Sequence, residues 1–326
     1  MNILFDGNFL FHKCYSVFSS YYRGQDMSSV LDIKENQQVL LRKCIIDMCS
    51  TLNRFKDIDR VAFVIDSSSW RYSLYDDYKY ALTKVRDDFY KLFLLVLDEF
   101  EALLRKKGLI VSRVWGAEGD DLLYVWSLYF GYILDEELVI VTGDSDITQM
   151  CTKNVSCFCN ASNRLMMTCL PENTNKWERY FEMNLPVSEI DPIQVLLGKV
   201  ILGDTSDNIP KLLKGFGKKA FEKFVTSIKP YPQFVHDNPD LIKMSQWLAG
   251  RFAEYAKLDE KVVLGQVLFN LKMTWLNLSV YNNTDYQTKN GKSLLENMLD
   301  DVNNQKENYN YNKAFTLEQF YGMLLK

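Results

Sequence analysis

Short apolar runs alternate with longer stretches of helical periodicity along the first half of the chain. Four runs have the length of strands, at residues 3–5, 61–65, 109–114 and 138–141. Between them, apolar residues recur with helical spacing and predict helices at residues 39–55, 89–104 and 120–134. Strands joined by helices favour a doubly wound, mainly parallel α/β sheet that is covered on both faces.

The dipeptide Asp191-Pro192 marks the expected domain boundary. Proline disfavours helix in the residue before it and permits a new helix after it. We therefore expect an α/β domain over residues 1–190 and a smaller helical domain over residues 191–326. A length of 326 residues with 47% hydrophobic content is enough for a core in each.

Composition narrows the class of protein. No stretch has the length and apolarity of a membrane span, and the first residues lack the pattern of a secretory leader. The seven cysteines are an odd number and indicate reduced thiols in a cytoplasmic protein. Four of these cysteines could form a metal site, namely Cys151, Cys157, Cys159 and Cys169. Their alternation along the chain instead favours packing in a strand.

Acidic residues follow all four predicted strands. The carboxyl ends of parallel strands form the ligand crevice of such a sheet, so these side chains are expected to converge. Taken singly, an aspartate at such a position is also a common turn former or helix cap. The set comprises Asp6 after the first strand, Asp66 after the second, Glu118, Asp120 and Asp121 after the third, and Asp144 and Asp146 after the fourth.

Carboxylates this crowded would repel one another unless cations lay among them. Oxygen ligands without histidine suit Mg²⁺ or Mn²⁺. Two such ions about 4 Å apart can stabilise both the attacking and the leaving oxygen of a phosphoryl transfer. The repetition at four strands therefore favours a metal centre.

A second candidate group lies between the second strand and the helix that follows it. Cations and aromatic rings interleaved in this way can grip a single nucleic-acid strand by phosphate contacts and base stacking. Several aspartates in the same segment leave a solvated, mixed-charge helix as the alternative. The cations are Arg71, Lys79, Lys84 and Arg86, and the rings are Tyr72, Tyr75, Tyr78 and Tyr80.

Residues 203–220, GDTSDNIPKLLKGFGKKA, place Asp204 and Asp207 directly before a basic segment. Residues 208–229 carry six lysines and one glutamate, a local charge of +5 in a chain whose net charge is −4. Gly215 and Gly217 precede an amphipathic helical pattern, where glycines let backbone N–H groups approach a phosphate. For the two glycines by themselves, a helix-ending turn is the alternative.

The motifs FDGN, VIDSSSWR, AEGDD, VTGDSD and GDTSDNIPKLLKGFGKKA, in this order, resemble the 5′-nuclease (flap endonuclease) superfamily. The resemblance is strongest to phage 5′ to 3′ exonucleases of the phage RNase H type and covers roughly residues 1–225. It implies a PIN-like nuclease domain, an arch or clamp over about residues 71–88, and a helix-hairpin-helix element over about residues 203–225. It also implies a monomer with two Mg²⁺ or Mn²⁺ ions that cleaves 5′ flaps, nicks, gaps or RNA primers on duplex DNA in replication.

The same resemblance implies roles for individual residues. The first ion would be held by Asp6, Asp66, Glu118 and Asp120, and the second by Asp120, Asp144, Asp146 and Asp207, with Asp121 and Asp204 contributing directly or through water. The reacting phosphate would meet Lys79, Lys84 or Arg86, and the single strand would meet Arg71, Tyr75 and Tyr78. Duplex phosphates would meet Lys211, Lys214, Gly215, Gly217, Lys218 and Lys219. Family members often have arginine three residues after a Tyr-Lys pair, whereas Leu82 follows Tyr78-Lys79 at that distance here.

Two other classes compete with this interpretation. A metal-dependent phosphatase with an Asp-x-Asp nucleophile would need a second aspartate that FDGN lacks. A non-catalytic, structure-specific DNA-binding subunit would not need the complete set of acids. The apolar segment at residues 317–325 either packs on its own domain or docks on a sliding clamp or single-strand-binding protein.

Overall fold

The structure, a computed structural model of the chain, describes residues 1–79, 88–159, 162–168, 186–237 and 239–306. Contacts divide the chain into two compact units. The described residues within Met1–Ser68, Leu82–Ile190 and Glu296–Lys326 form the first, and those within Ser69–Ala81 and Asp191–Leu295 form the second. This division differs from the predicted domains in two places, because residues after Ser69 group with the second unit and residues after Glu296 group with the first.

The first unit contains a mixed, mostly parallel sheet. Its strands among the described residues are β1 (Asn2–Asp6), β2 (Arg60–Val64), β3 (Ile110–Ser112), β4 (Leu138–Thr142), β5 (Val155–Cys159), β6 (Arg164–Thr168) and β7 (Val187–Ile190). They are ordered β3-β2-β1-β4-β5-β6-β7, and every neighbouring pair is parallel except β5 and β6. The predicted mainly parallel sheet is confirmed, and β5, β6 and β7 extend it beyond the four predicted strands.

The four predicted strands are neighbours in this sheet, in the order β3-β2-β1-β4, with β3 at its edge. β4 is buried along its whole length, and Phe5 of β1 lies opposite Phe63 of β2 with the two rings stacked 4.9 Å apart. Burial on both faces explains why these strands are almost continuously apolar. β2 and β4 flank β1 on opposite sides, so the strand order reverses beside β1.

The helices assigned among the described residues follow the predicted periodicity with shifted ends. They are α1 (Gly7–Ser20), α2 (Met27–Leu31), α3 (Lys34–Leu52), α4 (Asp88–Lys106), α5 (Gly119–Leu128), α6 (Pro192–Leu202), α7 (Lys218–Ser227), α8 (Gln233–Asp237), α9 (Leu241–Ala256), α10 (Glu260–Thr274), α11 (Leu278–Asn282) and α12 (Leu294–Lys306). The predicted helix at residues 120–134 ends at Leu128 and continues as a π-helical turn over Tyr129–Ile133. No helix in the described ranges has both the length and the apolarity to cross a membrane.

The second unit is helical. α6 begins where the proline rule places it, with Pro192 in the first turn and the Asp191 side chain accepting the N–H of Gln194 at 3.0 Å. The ring of Phe252 on α9 lies 5.1 Å from that of Phe216 and 5.5 Å from that of Phe224 on α7. These aromatic contacts fix α7 against α9.

The described cysteines pack as thiols. Cys151 and Cys157 are buried with their Sγ atoms 3.7 Å apart, and their thiols also contact the carbonyls of Met166 and Ile147. Cys159 is a free thiol at the end of β5, while Cys169 lies outside the described residues. This arrangement agrees with packing for the described members of the group.

Candidate functional site

Asp6 joins β1 to α1 at the carboxyl edge of the sheet. Its Oδ1 accepts the N–H of Phe9 at 2.9 Å and caps α1, while its Oδ2 accepts the hydroxyl of Thr142, the last residue of β4, at 2.8 Å. Burial raises the pKa of Asp6 to about 7, against the hydrogen bond from Phe9, and the charges of Asp66 and Asp144 raise it further. The charges of two carboxylates that follow the neighbouring strands β2 and β4 therefore act on Asp6 at this edge.

Asp66 lies against the first turn of α5. Its Oδ1 accepts the N–H of Gly119 at 2.6 Å. A Cβ at Gly119 would lie 2.7 Å from the same oxygen, so glycine permits the helix to begin this close to the carboxylate. The dipole of α5 favours negative charge at this end.

Two of the three acids around this helix start form its cap. The N–H of Glu118 donates to Oδ2 of buried Asp121 at 3.0 Å, and the Glu118 side chain accepts in return from the N–H of Asp121. The cap fixes Glu118 at the entry to α5. Asp121 thus orients the helix start, and Asp120 lies with Gly119 between the two capping partners.

The loop after β4 is held by side-chain contacts to its own backbone and by Phe9. Asp144 donates its N–H to Thr142 Oγ1 at 3.1 Å and accepts the N–H of Asp146 at 2.8 Å. The ring of Phe9 lies over Gly143, where a Cβ would come within 1.9 Å of the ring. Only glycine allows the ring this approach, and Phe9 thereby fixes the start of the Asp144 loop.

The arrangement suits a cation chemically. The donors are all carboxylates, and the pKa of Asp6 is raised first by burial and then by the negative charges of Asp66 and Asp144. Within the described ranges, no three histidine, cysteine or acidic side chains are grouped tightly enough to hold an ion as they stand. The assignment of individual ligands therefore stays a prediction.

Asp204, in the second unit, is held by protein donors. Its Oδ2 accepts from Lys199 Nζ at 2.5 Å, and its Oδ1 accepts the N–H of Ser206 at 2.8 Å. Burial raises the pKa of Asp204, but Lys199 and Ser206 outweigh it and hold the pKa below its ordinary value. Backbone bonds to Ile209, of 3.0 and 2.7 Å, close the turn that follows α6. In this structure Asp204 stabilises that turn.

Two residues predicted to contact nucleic acid are buried. Arg71 is 3% exposed, and its Nε donates to the carbonyl of Met273 at 2.9 Å. Tyr78 is 2% exposed and packs with Ile209 and Met273. Both side chains pack on residues of their own unit, and the predicted stacking or phosphate contacts at these positions stay predictions. Tyr75 is partly buried as well, with its ring 5.3 Å from that of Phe269.

Lys79 is the described member of the predicted phosphate-contacting cations. Its φ is +49°, and its Nζ lies 3.9 Å from Oδ1 of Asp207. The hydroxyl of Tyr78 is 3.5 Å from the other oxygen of that carboxylate. Lys84 and Arg86 lie outside the described residues.

Residues 203–217, the hairpin, connect α6 to α7. The helix-hairpin-helix element expected at residues 203–225 stays a prediction. Gly203 has φ +72°, and a Cβ there would lie 2.5 Å from the carbonyl oxygen of Ile209. Gly217 caps α7 with φ −107°, and a Cβ at Gly215 or Gly217 would meet no atom of the protein within 4 Å. The predicted phosphate-binding lysines are exposed: Lys211 and Lys214 in this hairpin, and Lys218 and Lys219 in the first turn of α7.

Comparison with known proteins places this arrangement in a family. The family model described as "5′-3′ exonuclease, N-terminal resolvase-like domain" matches residues 1–177. The chain belongs to this family. The match covers β1 to β6 and every acid of the first unit named above, so the predicted membership of the 5′-nuclease superfamily is confirmed.

Curated relatives carry the same family name. A 5′-3′ exonuclease of Mycoplasmopsis pulmonis (strain UAB CTIP) is 26% identical over 227 residues, 70% of this chain and 66% of the relative. Another, from Buchnera aphidicola subsp. Acyrthosiphon pisum (strain APS), is 26% identical over 175 residues, 52% of this chain and 53% of the relative. The chain thus spans slightly less than two thirds of the first 5′-3′ exonuclease and about half of the second.

Solved structures of 5′ exonucleases share the fold. The T5 5′-exonuclease with bound divalent metal ions (zinc) gives a TM-score of 0.59 at 16% identity, covering 94% of this chain and 99% of that one. A T5 flap endonuclease variant in a pseudo-enzyme-product complex with DNA and metal ions gives the same TM-score at 15% identity, covering 94% and 98%. These likenesses support the fold assignment.

Proposed function

We propose that the protein is a divalent-metal-dependent, structure-specific 5′ nuclease. It would hydrolyse phosphodiesters near a 5′ end, as a 5′ to 3′ exonuclease and flap endonuclease, and leave 5′-phosphate and 3′-hydroxyl products. The observation that carries the proposal is the position of Asp6 and Asp66 at the carboxyl ends of neighbouring strands, beside the reversal of strand order, with the charges of Asp66 and Asp144 acting on Asp6. Ligands bind at this location in open α/β sheets.

The acids of the first unit would hold the ions, and their neighbours would orient them. Thr142 directs one oxygen of Asp6, the start of α5 directs Asp66, and Asp121 fixes Glu118. When bound, two Mg²⁺ or Mn²⁺ ions supply charge stabilisation at the attacking and leaving oxygens of the phosphodiester. The contribution of Asp204 and Asp207 to the second ion stays a prediction of the resemblance.

The hairpin at residues 203–217 would bind the phosphates of a duplex. Its exposed lysines supply positive charge, and α7 begins with backbone N–H groups at a glycine that leaves room for an anion. Phosphate contacts of this type hold a duplex without reading its sequence. Lys79, Lys84 and Arg86 would add electrostatic stabilisation at the reacting phosphate.

The substrates that fit these elements are 5′ flaps, nicks, gaps and RNA primers on duplex DNA. A role in replication follows from such substrates, with a sliding clamp or a single-strand-binding protein as the partner to be tested. Alanine at Lys79, Lys84 and Arg86 together should reduce the single-turnover rate far more than duplex affinity. Rates within about threefold of wild type, under ~0.7 kcal/mol of barrier, would remove these cations from the mechanism.

A labelled 5′ flap on duplex DNA tests the proposal against its competitors. The nuclease proposal predicts internal cleavage with Mg²⁺, no cleavage with EDTA, and products that end in 5′-phosphate and 3′-hydroxyl. Release of inorganic phosphate from the 5′ end, with the chain intact, would identify a phosphatase. Tight flap binding without cleavage in Mg²⁺ or Mn²⁺ would identify a non-catalytic DNA-binding subunit.

A further inference from the structure

Trp115 occupies the tip of a turn at the carboxyl edge of the sheet. The N–H of Ala117 donates to the carbonyl of Val114 at 3.1 Å, and Gly116 has φ +91°. This is a type II turn, with glycine at the third position, which requires positive φ, and Trp115 at the second. The side chain at the second position projects from the turn, and Trp115 is 51% exposed.

The turn is fastened to the loop that carries Asp66. Arg113 Nε donates to the carbonyl of Asp66 at 3.2 Å, and the N–H of Ser67 donates to the carbonyl of Ala117 at 3.2 Å. Gly116 donates its N–H to Ser68 Oγ at 3.2 Å. The turn therefore has its position fixed relative to a predicted metal ligand.

The guanidinium of Arg113 strengthens this attachment. It forms ion pairs with Asp98 at 2.6 Å and Glu101 at 2.9 Å, both on α4. Trp115 thus lies on a turn that is bonded to the loop after β2, and the residue before the turn is bonded to α4. Such a support fixes the backbone that carries the indole before any ligand arrives, which lowers the entropy cost of binding.

We propose that Trp115 stacks on an unpaired nucleobase of the substrate, close to the scissile phosphodiester. The inference rests on the proposed nuclease function and identifies a positioning residue for it. β3 lies two strands from β1, about 10 Å in the plane of the sheet. At about 3.4 Å per stacked nucleotide, this distance corresponds to roughly three nucleotides of one strand. An aromatic face accepts any base, so the contact positions the strand without selecting sequence.

The test pairs a change in the protein with a change in the base. A series of 5′-flap substrates carries one abasic nucleotide at successive positions around the cleavage site, and affinity is measured with Ca²⁺ in place of Mg²⁺. In the wild-type protein, loss of the stacked base should raise Kd by about 5- to 150-fold at one or two adjacent positions. Trp115→Ala should raise Kd for the intact flap by a similar factor and abolish the response to those abasic positions. Trp115→Phe should retain most of the affinity for the intact flap and most of the response to the abasic positions.

Tyr132→Ala is the matched control. Tyr132 is an aromatic residue of the same unit that is 82% exposed, but it lies in the π-helical turn before β4, at the opposite edge of the sheet. Its replacement should leave both affinity and the abasic response unchanged. Thermal unfolding of each variant excludes a global effect, and Trp115→Phe tests the ring if Trp115→Ala does not fold.

The possible outcomes separate the two proposals. Equal abasic responses in wild type and Trp115→Ala, with wild-type cleavage intact, would refute the stacking role and leave the nuclease function standing. Wild-type protein that binds flaps and responds to abasic positions but never cleaves would refute the nuclease function. The Kd values for the abasic flaps would still test whether Trp115 stacks on a base.

Discussion

Gly217→Val should weaken a backbone contact to DNA without unfolding the hairpin that makes this contact. Gly217 has φ −107° and ψ 176°, an extended conformation that valine adopts readily, and its Cβ would meet no protein atom within 4 Å. The folded protein should therefore tolerate the change, at a cost of about 1 kcal/mol or less for the altered helix cap. Gly215 is a poorer probe, because its φ of +84° would strain any other residue.

The effect on DNA should be much larger. If a backbone N–H at the start of α7 binds a phosphate, the valine side chain occupies the space of that phosphate and removes a charge-assisted hydrogen bond. Such a bond contributes about 1.5–3 kcal/mol, or roughly 10- to 150-fold in Kd. The assay is equilibrium binding of a flap-bearing duplex with Ca²⁺, alongside thermal unfolding.

Gly265→Val provides the matched control, since Gly265 lies on α10 and also has no neighbour within 4 Å of a built Cβ. It should bind DNA as the wild-type protein does. Wild-type affinity in Gly217→Val would refute phosphate binding at the start of α7. A large loss of thermal stability would refute the claim that the site is open.

Three further changes test other parts of the structure. Alanine at both Lys218 and Lys219 should weaken binding equally for all duplex sequences and reduce the slope of log affinity against log salt by up to roughly 1.8, at ~0.9 per phosphate contact; an unchanged slope would locate the duplex elsewhere. Gly143→Ala should lower the free energy of unfolding by about 1–3 kcal/mol, because the new Cβ clashes with the ring of Phe9, and adding Phe9→Ala to this variant should restore part of the loss. An unchanged free energy of unfolding in Gly143→Ala would contradict the tight contact. Burial raises the pKa of Asp301 above its ordinary value, so the free energy of unfolding falls as the pH rises from the ordinary pKa through the raised one. Asp301→Asn should therefore gain stability relative to wild type as the pH rises through this window, and a relative loss would contradict the sign.

The core of the sheet and its acids could be predicted because both depend on local patterns. Strands that are buried on both faces are continuous apolar runs, and Asp6 and Asp66 follow two of them directly. β7 was missed because its residues alternate between exposed and half-buried, and β6 because only two of its five residues are buried. Short strands near the edge of a sheet carry little hydrophobic signal.

The features that the sequence did not predict depend on contacts between residues far apart in the chain. Arg71 resembles a surface cation in sequence, but its carbonyl partner Met273 is 202 residues away. Likewise, Asp301 and Gln305 of α12 bind Ser112 and the N–H of Val111 at the outer strand β3. No periodicity in either segment indicates these pairings, so the burial of Arg71 and the covering of β3 required the structure.

Cleavage of a 5′-labelled flap by Asp120→Asn tests the central claim most directly, namely that the acids at the carboxyl edge form the metal centre of a nuclease. At saturating enzyme with Mg²⁺, we expect the single-turnover rate to fall by at least about 10³-fold, ~4 kcal/mol of barrier, while flap affinity stays near that of wild type. Asp32→Asn removes an exposed aspartate at the end of α2 and should cleave at the wild-type rate. Substantial Mg²⁺-dependent cleavage by purified Asp120→Asn protein would contradict the assignment of this edge as the catalytic metal centre.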